Sequence, residues 1–300
     1  MSAGFMSGQG GPGTQGVIRK ADSHYPILLS LIKNPPGQLS YAGNPDVLKL
    51  PMIAIVGSRS STDYGRWAAY TIAKRLSDHG VCVVSGMAEG IDTAAHQGAL
   101  AGRTPTIAVF GCGLAFCYPR SNLSLMRTIE RNGLLLSEYE DVCPPSRYSF
   151  PARNRIISGL SYATVVAEAG FSSGSLITAE HAAEQGREVY AVPGNINRKS
   201  SIGCNKLIAD GARPIIFIDD ILSDLGIASD IAASLEKSLT AQERRVMEAL
   251  RMHGELSHDR LATETGLSIG TLTAVVTLLE IKNCLSTGAG KVFLNRSLTS

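Results

Sequence analysis

The stretch "MIAIVGSRSSTDYGRWAAYTIAKRLSDHGVCVVSG", residues 52–86, decides the fold. It opens with a short apolar, β-branched run (52–57) and closes with another (81–86). Neither run alternates apolar with polar residues, which is how a parallel strand reads when both faces of its sheet are covered. Between them a helical pattern begins near "SSTDYG", exposes Lys74 and Arg75, and stops at Gly80. Glycine suits the turn that ends a helix. Strand, helix and strand in this order form the unit from which open α/β sheets are built.

The unit recurs on either side. Runs at 106–111, 134–138, 163–170, 188–194 and 214–218 read as further buried strands. "IDTAAHQGALAG" and "SLITAEHAAEQG" read as helices closed by glycine. The expected fold class is α/β: an open, doubly wound, mostly parallel sheet over residues 23–226. Residues 1–22, with "GFMSGQGGPGTQG", lack the basic and apolar regions of a signal peptide and read as a flexible tail. Residues 227–239 read as a linker helix. Residues 240–300 carry three helical patterns and a glycine-turned hairpin, the order of a small winged-helix domain.

Composition narrows the function. Hydrophobic residues make up 44% of the 300-residue chain, ample for a core, and the net charge is only +2. An anion site must therefore come from a local cluster of charge. The six cysteines include no CxxC pair, and the six histidines form neither HxxxH nor HExxH. Free thiols, no metal and no cofactor are expected. No apolar run reaches the ~20 residues of a membrane helix, so a cytoplasmic protein with no membrane partner is expected.

In doubly wound sheets ligands bind at the carboxyl ends of the strands, where loops lead into helix N-termini. The loops there are rich in small residues. "VGSRSS" holds Gly57, Ser58 and Arg59; "SGMAEGID" holds Gly86 and Gly90; "EAGFSSGSLITAE" holds Ser173, Gly174 and Ser175; and "VPGNINRKSSIGCNKLI" holds Arg198, Lys199, Asn205 and Lys206. Unpaired N–H groups in such loops, aided by the helix dipole, accept a carboxylate or a phosphate. The arginines favour phosphate. "FPARNR" places Arg153 and Arg155 in what reads as the exit loop of the fourth strand, so Arg59, Arg153 and Arg155 converge on one edge with little acid nearby. The apolar Ile156, Ile157 and Leu160 then anchor the following helix, and the basic half projects from it as a binding element.

The common nucleotide motifs are missing: no GxGxxG follows the first strand, and there is no GxxxxGK[ST]. Catalytic groups are sparse. Asp92 and His96 share one helix face as a cap and a packed histidine, or as an acid–base pair. Glu168 ends a strand near the ligand edge or binds a neighbouring loop's N–H groups. Ser173 and Ser175 have no His–Asp pair and no GxSxG elbow.

The ordered series "VGSR", "SGMAEGIDTAAH", "GCGLAFCYP", "LLSE", "FPARNRIISGLS", "EAGFSSGSLITAEHA", "GREVYAVPG" and "GCNKLIADGA", spread over residues 24–218, strongly resembles the DNA-processing protein A (DprA/Smf) family. That resemblance implies a non-enzymatic protein that binds single-stranded DNA during natural transformation, protects it, loads RecA onto it and forms dimers. Its DNA pocket lies on an extended Rossmann-like domain and maps here onto Arg59, Arg153, Asn154, Arg155, Ser173, Gly174, Ser175 and Lys206, and no residues carry over for RecA or dimer contacts. The helical N-terminal domain of many members is expected to be lacking.

Single-strand binding needs rings as well as cations. Tyr64, Phe116, Tyr118, Tyr148, Phe150 and Phe171 fall in or near the exit loops, and one or two of them are expected to stack on bases. In the winged-helix region eight basic residues balance eight acidic ones, and its expected recognition helix, "SIGTLTAVVTLLEIKN", has no Arg and one Lys at its far end. An interaction or accessory role is expected there rather than duplex readout. The runner-up is a nucleotide-hydrolysing Rossmann enzyme of the LOG-like phosphoribohydrolase type. Its PGGxGTxxE motif is replaced here by "EAGFSSGSLITAE", which keeps the small residues and Glu180 alone. A pure protein scaffold is the third reading.

Overall fold

Strands that are apolar on both faces need two layers of cover, and the central strands receive it. The structure, a computed structural model, describes residues 14–226, 239–282, 284–288 and 290–294. The sheet strands are β1 (Gln15–Arg19), β2 (Gln38–Gly43), β3 (Met52–Gly57), β4 (Cys82–Ser85), β5 (Thr106–Phe110), β6 (Leu134–Ser137), β7 (Ala163–Glu168), β8 (Glu188–Ala191) and β9 (Arg213–Pro214). Their spatial order is β1-β2-β6-β5-β4-β3-β7-β8-β9. From β3 onward every pairing between strands of this series is parallel, whereas β1 with β2 and β2 with β6 run antiparallel. The chain thus enters at β3, winds outward to β6, and returns to the other side of β3 as β7. The carboxyl ends of β3 and β7 are therefore the point where the winding reverses, which is where such sheets form a crevice.

Three helices pack around that crevice. Helix α2 (Asp63–Asp78) is capped by Thr62, whose hydroxyl accepts from the Gly65 N–H. Its buried stripe, Ala68, Ala69, Ile72, Ala73 and Leu76, recurs at helical spacing. Helix α3 (Ile91–Leu100) lies close beside it: a Cβ on Gly98 would stand 2.2 Å from the Tyr70 carbonyl oxygen. Helix α5 (Ser149–Leu160) is seated by Ile156, Ile157 and Leu160, all fully buried. Each of these side chains contributes roughly 1.5–3 kcal/mol through burial. Helices α1 (Ile27–Ser30), α4 (Leu123–Asn132), α6 (Ser175–Glu184) and α7 (Ile202–Ala209) complete this part of the chain, and α8 (Asp219–Asp224) follows it.

Three expectations are corrected. Residues 15–19, read as part of a flexible tail, pair with β2 as an edge strand, because Ile18 is buried in the main core. The run at 214–218 is not a strand beyond Pro214, and its Ile216 and Phe217 are exposed. "FPARNR" is not a loop. It is the first half of α5, with Pro151 in the opening turn, where its missing N–H costs no helical bond. The linker helix read at 227–239 lies, apart from Leu239, outside the described residues, as does most of the N-terminal tail.

The chain divides into two compact units, residues 1–216 and 217–300. In the second, α9 (Ala241–His253), β10 (Leu256–Ser257), α10 (His258–Thr265), α11 (Ile269–Ile281), β11 (Leu285–Gly288) and β12 (Lys291–Leu294) form a winged helix. Its three strands lie in the order β10-β12-β11. Val246, Leu250, Leu261, Leu272, Leu279 and Val292 fill its core. Thr240 and Glu243 form a reciprocal capping box at the start of α9, and the Glu243 carboxylate also accepts from Lys282 Nζ at 2.6 Å. Among the described residues no single helix is long and apolar enough to cross a membrane.

Candidate nucleic-acid interface

A cleft of about 730 Å³ opens over the carboxyl ends of β3 and β7. Its walls are the β3 exit (Gly57, Ser58, Arg59), the start of α5 (Phe150, Arg153, Asn154) and the β7 exit (Gly170, Ser172, Ser173, Gly174, Ser175). These loops are stitched to one another. The Ser58 N–H donates to the Glu168 carbonyl at 2.7 Å. The Glu168 carboxylate accepts from the Thr62 N–H at 3.0 Å and from the Thr62 hydroxyl. Glu168 therefore serves a neighbouring loop, one of the two readings the sequence allows. On the opposite wall Asn154 Nδ2 donates to the Gly174 carbonyl at 3.3 Å. Gly90, at φ +78°, adopts a backbone that other residues rarely reach, and it brings α3 against the Ser58 and Arg59 carbonyls.

Cation and ring meet on the rim. The Arg59 guanidinium lies 5.3 Å from the centroid of the Phe150 ring. Phe150 is held in turn by Tyr118, at 5.3 Å between centroids, and by the floor at Gly111, where a Cβ would stand 2.8 Å from the ring. Arg147 lines the same cleft and sits 4.7 Å over the Tyr148 ring. On the far side Ser173 and Ser175 share a 2.8 Å hydroxyl bond at the N-terminus of α6. Exposed guanidiniums, a ring face and a helix N-terminus on one rim can bind an anionic, base-bearing chain.

Arg153 does something else. It is 4% exposed, and its Nη1 donates to the Gly86 carbonyl at 2.7 Å and to the Val109 carbonyl. It thereby clamps the ends of β4 and β5 beneath the cleft. Its charge is balanced by buried Asp92, which accepts from the Gly86 and Ala88 N–H groups at 3.2 Å each. Burial lowers the Arg153 pKa to about 10, opposed by Asp92. Burial also raises the Asp92 carboxyl, opposed chiefly by Arg153. Below them His96 is fully buried, and burial together with the Arg153 charge pushes its pKa down to about 3. Its Nδ1 lies 2.8 Å from Thr106 Oγ1, whose own proton goes to the Val83 carbonyl at 2.7 Å, so the neutral ring carries its proton on Nδ1. Asp92 and His96 are thus parts of a packed polar floor.

Of the expected site residues, Gly57, Ser58, Arg59, Arg153, Asn154, Ser173, Gly174 and Ser175 line the cleft. Gly86, Arg155, Asn205 and Lys206 do not. Gly86 has no room for anything but Arg153, whose guanidinium would meet a Cβ at 2.7 Å. Arg155 pairs with Glu138 at 2.5 Å, with the two side chains only 20% and 26% exposed. The expectation of little acid near these arginines fails: Asp92 answers one and Glu138 the other. Asn205 clasps both the N–H and the carbonyl of Gly194, and Lys206 pairs with Asp210 at 2.7 Å along α7. The sequence reading missed Arg147. Its position three residues before Phe150, on the approach to α5, was the available signal.

A family model described as DNA recombination-mediator protein A matches residues 16–226, and one described as DprA winged helix domain matches residues 231–291. The DNA processing protein DprA of Streptococcus pneumoniae is 46% identical over 203 residues, 68% of this chain and 72% of that protein. Protein Smf of Synechocystis is 40% identical over 230 residues, 75% of this chain and 58% of that protein. Among solved structures, one devoted to the single-stranded DNA binding mode of DNA processing protein A from Helicobacter pylori is 32% identical with a TM-score of 0.65. It covers 71% of this chain and 96% of that one.

Proposed function

The chain belongs to the DNA recombination-mediator protein A (DprA/Smf) family, and from that premise we propose that it binds single-stranded DNA in the cleft over β3 and β7. The observation that carries this reading is Arg59 held over Phe150 on the rim, facing the serine turn at the start of α6. A guanidinium beside a ring meets a phosphate and a base together, whatever the base. In this role the protein guards incoming strands during natural transformation and delivers them to RecA, acting as a homodimer in the cytoplasm and without catalysis. The family resemblance supports those wider parts of the reading. The winged helix serves as an accessory or interaction module, in keeping with its balanced charge.

A gel shift comparing single-stranded and duplex DNA tests the first step, with RecA filament formation on the protein–DNA complex as the second readout. Retarded single strands, little affected duplex and faster filament formation are expected. Equal affinity for both forms of DNA would overturn the reading. Nucleotide hydrolysis finds no support in the cleft. Asp92 is the one carboxylate among its lining residues, and it is committed to two backbone N–H groups and Arg153. Glu180, the residue shared with the hydrolase motif, is exposed and lies outside the cleft. No base should be released from AMP.

A further inference from the structure

Trp67 is the chain's single tryptophan, and it stands 62% exposed on α2. It is stacked on Tyr64, with ring centroids 6.0 Å apart and planes 29° from parallel. The Tyr64 hydroxyl donates to the Pro193 carbonyl at 3.2 Å, which fixes the pair against the loop that leaves β8. That loop carries Arg198 and Lys199, both exposed. It also borders the cleft: the Lys199 carbonyl oxygen lies 3.4 Å from where a Cβ on Gly170 would stand, and Gly170 is a cleft residue. Cleft, two cations and a stacked ring pair therefore follow one another along the same edge of the sheet. Arg66, next to Trp67, is already committed to Asp63 at 2.5 Å.

We infer that Trp67, backed by Tyr64, is a second stacking platform for single-stranded DNA, reached by the strand after it crosses the β8 exit loop. The inference rests on the reading of the cleft as the primary single-strand site. A ring pair with an open face beside exposed cations suits a base and its phosphate. A purely apolar protein contact would leave the neighbouring Arg198 and Lys199 without a role.

Because Trp67 is the only tryptophan, its emission reports on this platform alone. The probes are labelled oligo-dT of about 4 and about 20 nucleotides, bracketing the site sizes usual for single-strand grooves. The long strand should quench Trp67 emission, and the short one should bind with little quenching. Trp67→Ala should weaken the long strand by roughly 5- to 100-fold, the range expected for one stacked base, and leave the short one unchanged. Trp67→Phe should restore most of that loss. Arg59→Ala should weaken both strands. If the long strand binds and responds to Arg59→Ala while Trp67 emission and Trp67→Ala stay silent, the second platform is wrong and the cleft stands. If neither strand binds the unaltered protein, the cleft reading falls and the platform with it.

Discussion

Two pairs of arginines surround the cleft, and they put the same chemical group to opposite uses. Arg59 and Arg147 sit on exposed loops with their guanidiniums laid over rings. Arg153 and Arg155 sit on α5: the first ends on the Gly86 and Val109 carbonyls with the Asp92 charge nearby, the second on the Glu138 carboxylate. The Phe150 ring holds the Arg59 cation without using up its N–H donors, and Arg147 spends one donor on the Tyr148 hydroxyl, so both keep donors for a phosphate. Arg153 is buried with its acceptors met, whereas Arg155 is part-buried and its Nη1 has no partner among the described residues. Type and position along the chain do not separate these roles. Burial and partners do.

The largest effect expected from this contrast is on folding. Arg153→Ala leaves two strand-end carbonyls without their donor and the buried Asp92 without its countercharge, and removing one member of a buried charge pair typically costs about 3–5 kcal/mol. Urea unfolding should show that loss. If the variant kept its stability and lost only DNA affinity, Arg153 would belong with Arg59 after all.

Acid stability comes next. His96 stays neutral in the fold down to about pH 3, whereas in the unfolded chain it takes up a proton near its ordinary value of about 6.5. The unfolded state thus binds more protons between these limits, and stability must fall as the pH drops from about 6.5 towards 3, by up to about 1.4 kcal/mol per unit. Unfolding of a His96→Gln variant at several pH values should show a shallower slope over that window. An unaltered slope would mean that His96 is not the group responsible.

Arg59→Ala should leave the melting temperature unchanged and weaken oligo-dT by roughly tenfold. It should also lower the salt slope of binding by about 0.7, the share of one phosphate contact on a single strand. A Tm shift of several degrees would place Arg59 in the scaffold. Arg155→Ala should have the smallest effect. Its pair with Glu138 is part-buried, so stability should fall by less than in Arg153→Ala, and DNA affinity should stay within about twofold of the unaltered protein. A clear affinity loss would restore Arg155 to the site.

The sheet was readable because its strands are uniformly apolar, and their burial follows directly: every residue of β4, β5, β6 and β7 is buried. The loops after β3 and β7 were readable for a related reason, since small residues at strand ends have few roles but turns and ligand approach. That "FPARNR" is helical was harder to see, although its pattern carries the signal. Arg153, Ile156, Ile157 and Leu160 are spaced i, i+3, i+4 and i+7, so one helical face carries them all inward. Reading the stretch as the exit loop of the fourth strand hides that face. The partners that settle each arginine, Asp92 and Glu138, arrive from distant parts of the chain, and no local pattern announces them. Arg147 was overlooked because it falls in the irregular approach to α5.

The stitching of the cleft has a kinetic consequence. Glu168 fastens the end of β7 to the start of α2, and Asn154 fastens α5 to the serine turn. A strand arriving there finds walls whose ordering entropy was spent when the chain folded, so little affinity is lost to tightening them. Association should then be limited by encounter and steering, with a rate constant that falls as salt is added, and dissociation should report the contacts on the rim.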